Sequence, residues 1–150
     1  MATVKPILFD SYIAAIKNSV GTKMFRNSYA FVDGEKRDIM KNGELSCALC
    51  ASSVLRMFDL VSETHGTVDG TVSDMKKSHW RQTKKPKIGA ILVWEKKDFG
   101  DAYHKHIGFY IGSSKAISNG AQKKTPVIHH WTFQNTRKVE AIYWHSRLAK

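Results

Sequence analysis

The segment Ile88-Gly89-Ala90-Ile91-Leu92-Val93-Trp94-Glu95 decides the fold class, because the apolar pattern of the chain changes at this point. A glycine opens the segment, which is rich in β-branched and aromatic residues, as is typical of a buried strand. The apolar segments before it have helical spacing, whereas those after it are short and strand-like. We therefore predict an α+β protein in which helices come first and strands follow.

Four further strands are predicted downstream of this segment. They cover residues 106–111, 116–119, 126–133 and 139–145. The turn Gly112-Ser113-Ser114-Lys115 joins the first two of them as a hairpin, and the connections are short enough for antiparallel pairing. The expected architecture is a five-stranded antiparallel sheet or half-barrel, with the N-terminal helices packed against it.

Upstream, helical spacing of apolar residues predicts two helices, and a capped start at Thr71 predicts a short third one. They run from Pro6 to about Ser19, from Cys47 to near Leu60, and from Thr71 to about Lys77. Residues 22–42 are polar and irregular, with turn signals at Asp33-Gly34 and Asn42-Gly43. This segment is long for a loop, so we expect it to pack over the fold, and it is a candidate to line a site.

Composition limits the class of protein. The 150 residues fit a single domain, 1–150, and an apolar content of 42% excludes a disordered chain. Two cysteines three positions apart are not a secreted disulfide framework. The formal net charge of +11 predicts attraction to polyanions such as nucleic acid, anionic lipid or wall polymers. The basic residues are scattered in short pairs, which is also the pattern of an ordinary solvated surface.

The N-terminal residues contain no long apolar core, and no run of the chain approaches membrane-spanning length. We therefore expect a soluble, cytoplasmic protein that inserts into no membrane and leaves the cell only by lysis or non-classical export. A monomer without a cofactor or metal is expected.

Cys47 is the candidate nucleophile. Ser46 before it is a good helix N-cap, which places the thiol at the first helical position. The positive end of the helix dipole favours a thiolate there. The alternative is that Cys47 is a small buried apolar residue. Cys50 lies nearly one helical turn further on and is assigned to the core.

His106 is the candidate base, since a thiol nucleophile needs a partner with a pKa near neutrality. In a strand it shares one face with Gly108, whose missing side chain is expected to leave open space beside the imidazole. His104 has the same parity and is the main competitor. Asn119 ends the next strand, where its side chain can orient the imidazole, although Asn119-Gly120 is also an ordinary turn signal.

Taken in order, four segments resemble the NlpC-type cysteine peptidases and the related amidases known as CHAP domains, which are small papain-like enzymes. The segments are Ser46-Cys47-Ala48, Lys87–Trp94, His106–Gly112 and Ala116–Asn119. The resemblance implies hydrolysis of an amide, most often in peptidoglycan stem peptides, by a Cys–His–polar triad. By position the triad is Cys47, His106 and Asn119, with Ser118 as the alternative third residue. The chain departs from the family pattern in having Ser46 before the cysteine and Ala48-Leu49 after it.

In such an enzyme the backbone N–H of Cys47 is expected to stabilise the oxyanion, and Tyr29 or a neighbour is the candidate second donor. One of His129 and His130 is expected to face inward near the cleft, and the four tryptophans are assigned to the core.

Two alternatives remain at the level of sequence. Cys47 and Cys50, with His104 and His106, offer zinc ligands, but the cysteines lie within a helix and far from the histidines. The second alternative is a non-catalytic basic module of the same fold that binds nucleic acid or a wall polyanion.

Overall fold

A computed structural model describes residues 1–98 and 103–149, and it folds helices first and most strands afterwards. The α-helices in these ranges are α1 (Leu8–Asn18), α2 (Cys47–Met57) and α3 (Val68–Lys77). The strands are β1 (Tyr29–Val32), β2 (Glu35–Asp38), β3 (Arg81–Thr83), β4 (Ile91–Asp98), β5 (Tyr103–Gly112), β6 (Lys115–Asn119), β7 (Pro126–His130) and β8 (Val139–Trp144). Short 3₁₀ turns cover Lys41–Gly43 and Ser146–Leu148. Within these ranges the α+β prediction is confirmed.

The main sheet has six antiparallel strands in the order β3-β8-β4-β5-β6-β7. The segment Ile88–Glu95, which decides the fold class, overlaps β4, and β4 lies between β8 and β5. The predicted count of five was wrong because β3, at the edge of the sheet, carries only Arg81, Gln82 and Thr83 and so has no apolar pattern. The residues predicted to be irregular also contain a two-stranded sheet, β1 with β2.

The main sheet is covered on both faces, which explains the continuous apolar run of β4. Its helix-side residues, among them Ile91, Val93 and Ile107, join the larger core with α1 and α2. Leu92 and Trp94 face the opposite way and belong to a second, smaller apolar cluster. Alternate residues of one strand therefore lie in two different environments.

Helix and strand boundaries differ from the predictions by a few residues. Helix α3 begins at Val68 rather than Thr71, because the Thr67 side chain caps it by accepting a hydrogen bond from the Gly70 N–H. Helix α2 ends at Met57, three residues before the predicted Leu60. Strand β4 begins at Ile91 rather than Ile88. In the part of the chain that the structure describes, no helix is long and apolar enough to span a bilayer.

Candidate active site

Cys47 is the first residue of α2, as predicted, and only 7% of its surface is exposed. The backbone N–H groups of Ile107 and Ala48 lie near its sulfur and act to lower the pKa of the thiol. The thiol therefore lies against β5, beside the residue that follows His106. The predicted cap was wrong, because the Ser46 side chain makes no capping hydrogen bond. Within the described ranges, the buried Ser46 hydroxyl has no hydrogen-bond partner.

Burial also changes the expected charge of the thiol. It raises the pKa of Cys47, and the N–H donors together with the Arg137 guanidinium offset only part of this effect. A helix dipole contributes about 0.3–1 kcal/mol at an exposed site, which is less than the cost of burying a charge. The free protein therefore holds Cys47 as a neutral thiol rather than as the thiolate that its position in the helix predicts.

Cys47 lines two cavities. The smaller has a volume of about 140 Å³ and the larger of about 450 Å³. The walls of the smaller cavity include Cys47, His106, Ser118, His129, Phe133 and Arg137. The walls of the larger include Leu45, Cys47, Ala48, Val68, His104 and Lys105. The structure thus brings the predicted nucleophile and the predicted base to one cavity, and a wider groove adjoins the same thiol.

His106 lies on β5 opposite Trp94 and is 9% exposed. Its Nε2 is 2.7 Å from the Ser118 hydroxyl oxygen. Burial holds the pKa of His106 well below its usual range, and the nearby Arg137 charge lowers it further. The imidazole is therefore neutral near pH 7, which is the form that can accept a proton.

Gly108, two residues after His106 in β5, has a different role from the predicted one. A Cβ at Gly108 would lie 2.6 Å from the Ile117 carbonyl oxygen, 2.6 Å from the Ser118 Cβ and 3.2 Å from the Trp94 ring. The space beside Gly108 is therefore filled rather than open. A glycine here allows β6 to approach β5 closely, and the close approach brings Ser118 within hydrogen-bond distance of His106.

Ser118, not Asn119, holds the imidazole. Because side chains alternate along a strand, Asn119 projects to the other face of β6, where its Nδ2 donates to the Gly43 carbonyl at 2.8 Å. Gly43 lies just before α2, so Asn119 ties the segment that leads to Cys47 to the sheet. Asn119 also lines the smaller cavity with Cys47 and His106, and its buried Oδ1 has no hydrogen-bond partner among the described residues. The contact to the His106 imidazole is made by the alternative residue Ser118.

A second histidine extends this hydrogen-bonded unit. His129 on β7 places its Nε2 2.7 Å from the Ser118 oxygen and its Nδ1 2.8 Å from the His130 carbonyl oxygen. The Phe133 ring stacks on His129 at 4.1 Å between centroids, and Trp94 packs against both histidines at 5.2 and 5.6 Å. The prediction that one of these two adjacent histidines faces the cleft is confirmed for His129.

Arg137 is a wall residue that the sequence did not reveal. It is 6% exposed, its Nε donates to the Glu95 carbonyl, and its NH2 group donates to the His104 carbonyl. Its charge acts on both Cys47 and His106. Among 24 basic residues in the chain, no local pattern distinguishes a buried arginine from the surface ones.

Two other predicted residues lie elsewhere. The walls described for the two cavities do not include Tyr29, which is 63% exposed on β1 with the Lys36 ammonium 5.2 Å from its ring. It is therefore not placed to donate to an oxyanion at Cys47. Cys50 is buried in the core as predicted, and burial, together with the neighbouring Cys47, raises its pKa to about 12.

The zinc alternative finds no support in the described residues, which contain no group of three or more His, Cys, Asp or Glu side chains that could hold a metal ion.

In comparisons with known proteins, no protein-family model and no curated protein matches this chain. The functional argument therefore depends on the geometry of the site.

Proposed function

We propose that the protein is a papain-like cysteine hydrolase, a peptidase or amidase, that cleaves an amide bond through a thioester. One observation carries this proposal: a thiol at a helix N-terminus shares a cavity with a neutral histidine whose Nε2 is held by Ser118. These are the parts of an activated nucleophile, namely a thiol, a base and a group that orients the base. The catalytic residues are Cys47 and His106, with Ser118 as the orienting residue.

The neutral state of both groups sets the first step. When substrate binds, the imidazole nitrogen that is not bonded to Ser118 takes the proton of Cys47, and the sulfur attacks the amide carbon. The electron pair of the C=O bond moves to oxygen. When it returns, the C–N bond breaks and the imidazolium protonates the leaving amine. Water then loses a proton to His106 and hydrolyses the thioester, which releases the acid and restores the thiol.

Two features of the site favour the negative charge that develops in this reaction. The backbone N–H of Cys47 lies at the start of α2, where helix N–H groups have no intrahelical partner. The Arg137 guanidinium lines the same cavity and offsets part of the increase that burial causes in the pKa of the thiol, so its charge favours an anion there. We therefore assign to Arg137 the role of second oxyanion donor, for which Tyr29 or a neighbour was the candidate from sequence.

The larger groove provides room for substrate on the other side of the thiol. Its walls combine apolar side chains such as Leu45 and Val68 with the charged groups of Lys105 and Asp69. A peptide with alternating apolar and ionic groups fits these walls. Together with the resemblance of four sequence segments to NlpC-type enzymes, this favours the peptide part of peptidoglycan as substrate.

Zymography on purified cell walls tests the proposal. Wild-type protein is expected to clear the wall, and Cys47→Ala is expected to lose this activity. Cys50→Ala is the matched control, since it removes the other buried thiol of the same helix and should keep the activity if it folds. Clearing that survives in Cys47→Ala would refute the hydrolase proposal.

A second candidate function is binding of a polyanion without catalysis. It is favoured by the net charge of +11 and by the β1–β2 hairpin, which exposes Tyr29 and Phe31 (80% exposed) beside Lys36 and Arg37. This function predicts tight, salt-sensitive binding to nucleic acid or teichoic acid that is unchanged in Cys47→Ala.

A further inference from the structure

We propose that His129 is a positioning residue that sets, through Ser118, which nitrogen of His106 carries the proton. The inference rests on the proposed function, because it assigns His106 as the base of that reaction. It is drawn from three consecutive short contacts: His106 Nε2 to Ser118 Oγ, Ser118 Oγ to His129 Nε2, and His129 Nδ1 to the His130 carbonyl oxygen.

The directions of these three hydrogen bonds follow from the last of them, between His129 Nδ1 and the His130 carbonyl oxygen. A carbonyl oxygen only accepts, so His129 Nδ1 must carry the proton and donate. In a neutral imidazole the other nitrogen then has no proton, so His129 Nε2 accepts from the Ser118 hydroxyl. The single hydroxyl proton of Ser118 is thereby committed, and its oxygen accepts from His106 Nε2–H. The backbone carbonyl of His130 thus determines the tautomer of His106.

This tautomer is the one that the proposed reaction needs. With the proton on Nε2, the lone pair of His106 is on Nδ1, the nitrogen that takes the proton of Cys47 in the proposed reaction. When it does so, the imidazolium still donates from Nε2 to Ser118, and no hydrogen bond in the chain has to reverse. A histidine without this arrangement could hold its proton on Nδ1 and could not act as a base toward the thiol.

Burial and neighbouring aromatic rings preserve the order of donors and acceptors in these three hydrogen bonds. Ser118 is 2% exposed, and the aromatic rings of Trp94 and Phe133 pack against the two histidines. Burial lowers the pKa of His129 as well as that of His106, so both are neutral. Water has little access to offer Ser118 an alternative partner, and the order of donors and acceptors is therefore preserved.

The test reads the tautomer directly by long-range ¹H–¹⁵N spectra of the histidine side chains in the folded protein near pH 7. In the wild type, His106 is expected to be protonated on Nε2 and unprotonated on Nδ1. His129→Phe removes the acceptor, and the His106 signals are expected to shift toward the Nδ1-protonated form or a mixture. His129→Gln is expected to keep the wild-type tautomer, because its amide can donate to the carbonyl and accept from Ser118.

Peptidoglycan hydrolysis gives a second readout of the same variants. In His129→Phe we expect kcat to fall by about 10²-fold, in the range for general base catalysis, with little change in KM. His129→Gln is expected to recover most of this loss. His145→Gln is the matched control, since His145 is also buried and also contacts a backbone carbonyl, that of Ser78, but lies outside the cavity.

Two results would overturn the inference: an Nδ1-protonated His106 in the wild type, or a tautomer that His129→Phe leaves unchanged while circular dichroism shows the variant folded. If His129→Phe does not fold, the wild-type and His129→Gln spectra still decide. The tautomer measurement does not depend on activity. The hydrolase proposal fails if Cys47→Ala still clears the wall, and this inference fails if the tautomer differs from the expected one. The two failures are therefore distinguishable.

Discussion

The two cavities that adjoin Cys47 are built in different ways. The smaller one is enclosed by strands β5, β6 and β7, and its polar groups are buried and joined by short hydrogen bonds. The larger one lies against the start of α3, and its Lys105 ammonium is 3.8 Å from the Asp69 carboxylate and 3.7 Å from that of Glu140. Such long, partly exposed ion pairs contribute little energy. In the proposed reaction, we therefore expect the smaller cavity to determine the rate and the larger one the affinity for substrate.

The largest expected effect is on the smaller cavity. His106→Ala removes the proposed base, so kcat for peptidoglycan hydrolysis should fall by about 10²–10⁴-fold, the range attributed to general acid–base catalysis. His104→Ala is the control, because His104 lines both cavities and shares the strand parity of His106. A loss of kcat in His104→Ala equal to that in His106→Ala would contradict the assignment of His106 as the base.

Neighbouring residues of β6 provide the next test, since they face opposite sides of the sheet. Ser118→Ala should lower kcat by about tenfold or more, and it also removes two buried hydrogen bonds, to His106 and His129, of about 1 kcal/mol each. Asn119→Ala should instead lower the free energy of unfolding by about 1–3 kcal/mol, because the buried Gly43 carbonyl loses its donor. Urea unfolding and steady-state kinetics on both variants separate the two roles. If Asn119→Ala reduced kcat more than Ser118→Ala, the orienting role would revert to Asn119.

The pH dependence of the thiol tests whether the smaller cavity holds a neutral pair. Burial raises the pKa of Cys47 and lowers that of His106, so the thiolate fraction is small near neutrality and grows as pH rises through the raised thiol pKa. Alkylation of Cys47 by iodoacetamide should therefore be slow near neutral pH and should still increase with pH beyond the ordinary thiol pKa of about 8.5. A preformed thiolate–imidazolium pair would give a rate plateau between about pH 5 and 8 instead.

The positions of the candidate thiol and the candidate base in the fold could be predicted from sequence because each lies in a regular local pattern. Cys47 opens an apolar helical repeat, and His106 lies in a strand with period-two alternation. The residue that contacts the His106 imidazole could not be predicted in the same way. Ser118 and Asn119 are adjacent, and which of them faces His106 depends on the register between β5 and β6, which pairs Phe109 with Ile117. The pairing set by the turn shifts by one residue between Tyr110 and Gly112, and the local sequence does not reveal this irregularity.

Two other features of the site depend on contacts between distant parts of the chain. Arg137 reaches the cavity by donating to the Glu95 and His104 carbonyls, which lie 42 and 33 positions away. The depth at which Cys47 is buried depends on the packing of α2 on β5, and this depth reverses the pKa shift that the helix dipole alone predicts. In the fold, β2 and β3 were missed because these short polar strands are specified by their pairing partners and not by an apolar period. Strand β1 is apolar but was missed because its four residues are too few to show a period.

The smallest expected effect concerns the larger cavity. Lys105→Ala removes a cation shared between Asp69 and Glu140, and ion pairs of this kind contribute about 0.2–1 kcal/mol. We expect KM for the peptide substrate to change by less than about fivefold and kcat to stay near the wild-type value. Lys87→Ala is a matched control, since Lys87 lies over the Trp144 ring and outside the walls described for both cavities. A fall in kcat of tenfold or more in Lys105→Ala would mean that the larger cavity also takes part in the chemical step.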